Sequence, residues 1–124
     1  MSPREPSEWI AKFVDAVRTG NPEVGKPLFA KDVTAFGTIT NLATDLAGLV
    51  SLQWTPIWPS SRDFSLQVIK SQPTGDNYHL VLCHFKNFTS NNELWIKRAG
   101  RATFLLQKRS QSWICVHSHF SEMV

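Results

Sequence analysis

The hydrophobic and polar positions divide the chain into a helical first half and a strand-like second half. Over residues 6–19, Trp9, Ile10, Phe13, Val14 and Val17 recur at i, i+3, i+4 spacing. Lys12, Asp15 and Arg18 take the other side, which predicts an amphipathic helix. Gly20 ends it, because glycine accepts the left-handed conformation beyond a helix. Asn21-Pro22-Glu23 reads as the cap and first turn of a short second helix, and Val33–Thr38 as a short strand. A third helix is predicted over about Leu42–Trp58. Leu46, Leu49, Val50, Gln53, Trp54, Ile57 and Trp58 share one face, and Pro56 kinks or ends it.

From Asp63 the period falls to two. Strands are predicted over Phe64–Lys70, Tyr78–Phe88, Glu93–Lys108 (with a bulge at Gly100) and Trp113–Ser121. They are separated by turns at Gln72–Asn77, Thr89–Asn92 and Ser110–Ser112. Helices followed by a meander of long strands make an α+β domain: one curved antiparallel sheet with three helices on its concave side, spanning all 124 residues.

Alternation assigns the strand faces. Val81, Cys83 and Phe85, then Ala102, Phe104 and Leu106, then Ile114, Val116, Ser118 and Phe120 are expected to face the helices. Leu80, Leu82 and His84, then Arg101, Thr103 and Leu105, then Trp113, Cys115, His117 and His119 are expected to face outward. That outer face is too apolar for plain solvent surface. A homodimer interface through Leu82, His84, Arg101, Thr103, Leu105, Trp113, His117 and His119 follows as an expectation.

Charge and cysteine content narrow the classes. A net charge of +3 is only mildly basic, and Lys97, Arg98, Arg101, Lys108 and Arg109 read as solvated hairpin ends, so no nucleic-acid partner is expected. No apolar run is long enough to cross a bilayer, and the N-terminal residues carry no signal-peptide pattern. Cys83 and Cys115 stand alone in strands and read as buried thiols, which suggests a reducing, cytoplasmic setting. His117 and His119 offer two ligands at i, i+2 without an evident third, so neither a metal nor a cofactor is expected.

The run Leu28–Thr38 (LFAKDVTAFGT), Gly100-Arg-x-Thr103 and the C-terminal Trp113-x-x-Val116-His117-x-His119-x-Ser121 resemble the SnoaL-like branch of the nuclear transport factor 2-like superfamily. The last pattern is also similar to the association domain of calcium/calmodulin-dependent kinase II. The resemblance covers nearly the whole chain. It implies a cone of curved sheet around helices, a deep pocket and dimerisation through the sheet. The superfamily includes isomerases, dehydratases, cyclases and non-catalytic assembly domains, so fold alone does not assign function. Positions that carry pocket arginines in the kinase association domain correspond here to Phe85, Phe104 and Phe120.

The resulting expectation is an apolar pocket for a hydrophobic small molecule, formed by Trp54, Trp58, Phe85, Phe104, Val116, Ser118 and Phe120. The same rings would also suit a filled core. The alternatives are a dimerisation or assembly domain without turnover, and an isomerase, dehydratase or cyclase with Asp45 or His119 as general base.

Overall fold

A computed structural model describes residues 2–123. Helix α1 (Pro6–Thr19) buries Trp9, Ile10, Phe13, Ala16 and Val17, and Gly20 closes it in the left-handed conformation at φ 72°. Two hydrogen bonds anchor it to the rest of the chain. Trp9 Nε1 donates to the Leu28 carbonyl at 2.9 Å, and Arg18 Nε donates to the Phe64 carbonyl at 2.8 Å. The short α2 (Pro22–Gly25) is capped by the Asn21 side chain, which accepts from the Glu23 amide. A 3-10 turn (Lys26–Leu28) leads into β1 (Phe29–Phe36).

The long third helix is not regular. Asp45 caps α3 (Leu46–Leu49), a π-helical turn covers Val50–Trp54, α4 covers Thr55–Ile57, and a 3-10 turn ends at Ser60. Pro56 explains the interruption. In a continuous α-helix its ring would press on the carbonyl four residues back, and it has no N–H to give. The widened turn, in which the Thr55 amide reaches the Val50 carbonyl, makes room just before the proline.

The remaining strands are β2 (Ser61–Pro73), β3 (Tyr78–Asn91), β4 (Leu94–Arg109) and β5 (Ser112–Glu122). They form one sheet in the order β1-β5-β4-β3-β2. All neighbours are antiparallel except β1 and β5, so the sheet is mixed rather than wholly antiparallel. The helices and three strands that separate β1 from β5 supply the long connection that parallel pairing needs. β3–β4 and β4–β5 close through two-residue turns with positive φ at both positions, Asn92-Glu93 and Ser110-Gln111, tighter than the turns expected.

Two expectations for the sheet are corrected. Gly100 carries no bulge, because β4 runs in unbroken register past Phe85 on one side and Glu122 on the other. The bulge lies in β5. Leu105 pairs with His117 and Leu106 with Cys115, so Val116 is the extra residue. Before it, Cys115 is fully buried and Trp113 packs on the core, opposite to the expected outward side. After it, Ser118 faces inward as expected. A one-residue insertion flips only the half of the strand that precedes it.

The core is an aromatic cluster between α1, the composite helix and the inner sheet face. No helix among the described residues is long and apolar enough to cross a membrane.

Candidate functional site

The cluster does not close completely. A cavity of about 140 Å³ remains between the composite helix and the C-terminal ends of β1 and β5. Its deep part is built of rings. Phe13 comes from α1, Phe29 from β1, Trp54 and Trp58 from the composite helix, and Phe64, Phe85 and Phe120 from the sheet. Trp54 and Trp58 stack at 4.5 Å between centroids and 19° between planes. Gly25 permits this placement, since a Cβ there would lie 2.6 Å from Trp58 Cη2 and 3.1 Å from Trp54 Cζ3. Phe120 packs against Phe85 at 5.4 Å and against Phe104 at 5.5 Å.

Of the residues expected at the pocket, Trp54, Trp58, Phe85, Ser118 and Phe120 line the cavity. Phe104 and Val116 are not among the lining residues. Phe104 is fully buried against Trp9 and Phe13, a core residue one layer below. Val116 is the bulge residue, outside the inward alternation.

A polar collar surrounds the mouth. Gln53 Oε1 accepts from the Ile39 and Thr40 amides, each at 3.0 Å, and its Nε2 donates to Thr38 Oγ1 at 2.8 Å. This single side chain holds the segment after β1, of which Gly37, Thr38 and Ile39 line the cavity. Replacing Gln53 by Leu removes all three bonds. The expected cost is about 2 kcal/mol, with clearly faster amide hydrogen exchange at Ile39 and Thr40.

On the sheet side, Asn87 Nδ2 donates to Ser61 Oγ at 2.8 Å. Arg98 Nε donates to Thr89 Oγ1 at 3.1 Å, and Arg98 Nη1 pairs with Glu122 Oε2 at 3.4 Å. Asn87, Arg98 and Glu122 extend the inward rows of β3, β4 and β5 by simple alternation. Arg98 is therefore a mouth residue rather than only a solvated hairpin charge, and Glu122 places a carboxylate at an inward strand position.

The residues considered for acid–base chemistry are not at the cavity. Asp45 Oδ1 accepts from the Gly48 amide at 2.7 Å and serves as a helix cap. His119 lies on the outer face, its ring 5.4 Å from that of Phe36. His117 Nδ1 bonds Thr34 Oγ1 at 3.0 Å on the same face. Across the outer sheet Leu82, Thr103 and His119 fall in one row, as do Leu80, Leu105 and His117, and His84 and Arg101 in a third. Among the described residues, no group of three or more His, Cys, Asp or Glu side chains is placed to hold a metal ion.

The two thiols are free and buried. Burial pushes Cys83 from the ordinary 9.0 to about 11. Burial also raises Cys115, which hydrogen bonds to the His117 and Leu105 backbone only partly offset. A thiol whose folded-state value is raised favours the folded state fully below the unfolded value, and that contribution is lost as pH climbs. The urea midpoint is therefore expected to fall between about pH 9 and 11, and a Cys83→Ala, Cys115→Ala double variant to fall less steeply. At neutral pH iodoacetamide should label neither thiol before unfolding.

No known family matches the chain at the level of sequence, nor does any curated protein sequence. Solved structures do resemble it in shape. A ketosteroid isomerase-like protein from Erwinia carotovora atroseptica superposes with a TM-score of 0.84 at 14% identity, over 95% of this chain and 93% of that one. An uncharacterized protein with a cystatin-like fold from Caulobacter vibrioides gives 0.80 at 16% identity, over 95% and 87%. A nuclear transport factor 2-like superfamily protein from Salmonella enterica gives 0.77 at 17% identity, over 94% and 87%. At these identities the likeness is one of fold, and with the mixed sheet wrapped on its N-terminal helices it shows that this chain has the cystatin-like α+β fold of the nuclear transport factor 2-like superfamily.

Proposed function

We propose that this chain is a SnoaL-like protein that binds a small hydrophobic molecule in the aromatic cavity. The observation that carries the reading is the cavity itself, about 140 Å³ ringed by Trp54, Trp58, Phe85 and Phe120. Apolar cavities of roughly 150 Å³ take up benzene-sized ligands. Trp54 and Trp58 report occupancy directly. Titration with toluene should change tryptophan emission saturably and raise the melting temperature. A chain that shows neither response does not bind in this way.

Turnover is not part of the reading. Among the described residues Glu122 is the one carboxylate lining the cavity, and its side chain is 43% exposed and engaged with Arg98. A base for proton abstraction works best where water is excluded.

A second property belongs to the outer sheet face. Leu80, Leu82, Thr103 and Leu105 are only half-buried there, beside Phe36 at 42% exposure. A homodimer that covers these rows accounts for an apolar strip that solvent alone would not favour. Sedimentation equilibrium should give twice the 14.0 kDa of the chain, and Leu105→Glu should return it to a monomer. A wild-type monomer at micromolar concentration overturns the dimer and leaves the cavity reading intact.

A further inference from the structure

The net charge of +3 is spread unevenly, and residues 61–124 carry eight Lys and Arg against four Asp and Glu. Pairing across the sheet gathers four of those cations from three strands onto the outer face, at the end near the β3–β4 turn. Arg62, Phe88 and Lys97 share one row. Ser65, Lys86 and Ala99 share the next outer row, and Gln67, His84, Arg101 and Ser121 the one after it. Successive outer rows lie about 7 Å apart, so the cations are spread over a stripe about 14 Å long. Trp95, opposite Ser90 and 42% exposed, closes the stripe at the turn end. These rows hold no Asp or Glu, and among the described residues none of the four cations is in an ion pair. Like charges gathered in this way repel one another, and an anion on the stripe relieves that repulsion. Arg62 is already posed for one. Its guanidinium stands 4.1 Å from the Trp95 ring centroid and 5.8 Å from that of Phe88, which fixes its plane and leaves its N–H edge for an anion.

We propose that this stripe binds single-stranded nucleic acid, its phosphates against Arg62, Lys86, Lys97 and Arg101 and a base stacked beside Trp95. Cations that track a backbone, next to an aromatic ring on which a base can lie, are what such a strand needs. Ser65, Gln67 and Ser121 stand between the cations and offer hydrogen bonds to phosphate and sugar. A bilayer fits less well, because the exposed Trp95 ring has Glu93 in the turn beside it and polar side chains behind it. Net charge alone argued against a nucleic-acid partner. The charges are separated along the chain, and only strand pairing brings them to one face. The stripe is independent of the cavity, which none of its four cations lines. It also stops short of the Leu82 and Leu80 rows assigned to the homodimer.

The test is fluorescence anisotropy of a fluorescein-labelled 15-nucleotide uridine strand, titrated with the protein from low to moderate salt. The wild type should bind, with a slope of log affinity on log salt of about −3 for four phosphate contacts. A Lys86→Gln, Lys97→Gln double variant should bind about tenfold more weakly at low salt, with about 1.4 taken off the slope. Trp95→Ala should also weaken binding about tenfold, through lost stacking, with the slope little changed. A Lys108→Gln, Arg109→Gln double variant removes the same charge at the far end of β4 and should bind like the wild type. Lys86 and Lys97 are exposed, so their variant should fold, and an unchanged melting temperature checks this. No binding by the wild type at low salt overturns the proposal. Equal weakening in the two double variants reduces the effect to net charge and overturns it as well. Sedimentation with phosphatidylglycerol vesicles in the absence of uridine-strand binding identifies a membrane surface instead, and also overturns it.

Discussion

Phe13→Ala is expected to remove about 3–5 kcal/mol of stability, a large share of a total that for such domains is about 5–15 kcal/mol. The size follows from position. Phe13 lies on the buried face of α1 and is 2% exposed. Its ring has seven aromatic neighbours at centroid distances of 5.3–6.5 Å: Trp9, Phe29, Trp54, Trp58, Phe64, Phe104 and Phe120. They come from α1 itself, from β1, from the composite helix and from three other strands. No single one of them can move into the space without losing its own contacts, so the site relaxes little. Because Phe13 also lines the cavity, the variant should enlarge the binding volume as it weakens the fold. The urea midpoint measures the first effect. A loss under 1 kcal/mol (about the cost of a single buried methylene) would mean that the cluster is loosely packed.

Gly100→Ala is expected to cost about 3 kcal/mol, the upper range for inserting a methyl group into a packed interior. In an ordinary strand the same change is favourable by roughly 0.5–1 kcal/mol, so the sign is the informative part. At Gly100 a Cβ would overlap the backbone oxygen of Ser121 and lie 2.5 Å from Phe85 Cε2. The side-chain ring could turn, but the carbonyl is that of Ser121, which pairs with the neighbouring Arg101 in the β4–β5 ladder, and it cannot retreat without disturbing that pairing. The substitution should also disturb ligand binding, since it displaces Phe85 and Glu122 together. Thermal melting and toluene titration of the one variant check both parts. A stabilised Gly100→Ala would contradict the close approach of the ring and the strand.

Much of this architecture was legible in the chain. The stripe of α1, its Gly20 stop, the Asn21 cap and the strand order along the sequence follow from periodicity and turn chemistry, and they appear where expected. The inward placement of Phe85, Phe104, Ser118 and Phe120 follows from alternation alone. Other features left weaker marks. The bulge at Val116 adds one residue with no special composition, so nothing in WICVHSHFS shows that Trp113 and Cys115 turn inward while His117 and His119 turn out. Pro56 signalled an interruption but not that a π turn would absorb it. The parallel pairing of β1 with β5 depends on how the helices fold back, which periodicity does not encode.

The collar residues are a different matter. Asn87, Arg98 and Glu122 obey the same alternation that places the phenylalanines. Their polarity and nearness to strand ends suggested solvent, and only the folded chain, which brings those ends to the cavity, shows otherwise. Gln53 was visible on the inner face of its helix, but its three bonds to the segment after β1 required the fold. The two histidines that draw attention in the last strand belong to the outer face, and the cavity side of that strand is Ser118, Phe120 and Glu122.

The apolar space between the composite helix and the inner sheet face should admit an apolar guest. Diffraction from a crystal pressurised with xenon tests it most directly, because xenon enters dry apolar cavities without hydrogen bonds or charge. An anomalous peak is expected between Trp54, Phe85 and Phe120. Full pressurisation with no peak there, or with xenon only on the outer sheet face, would contradict it.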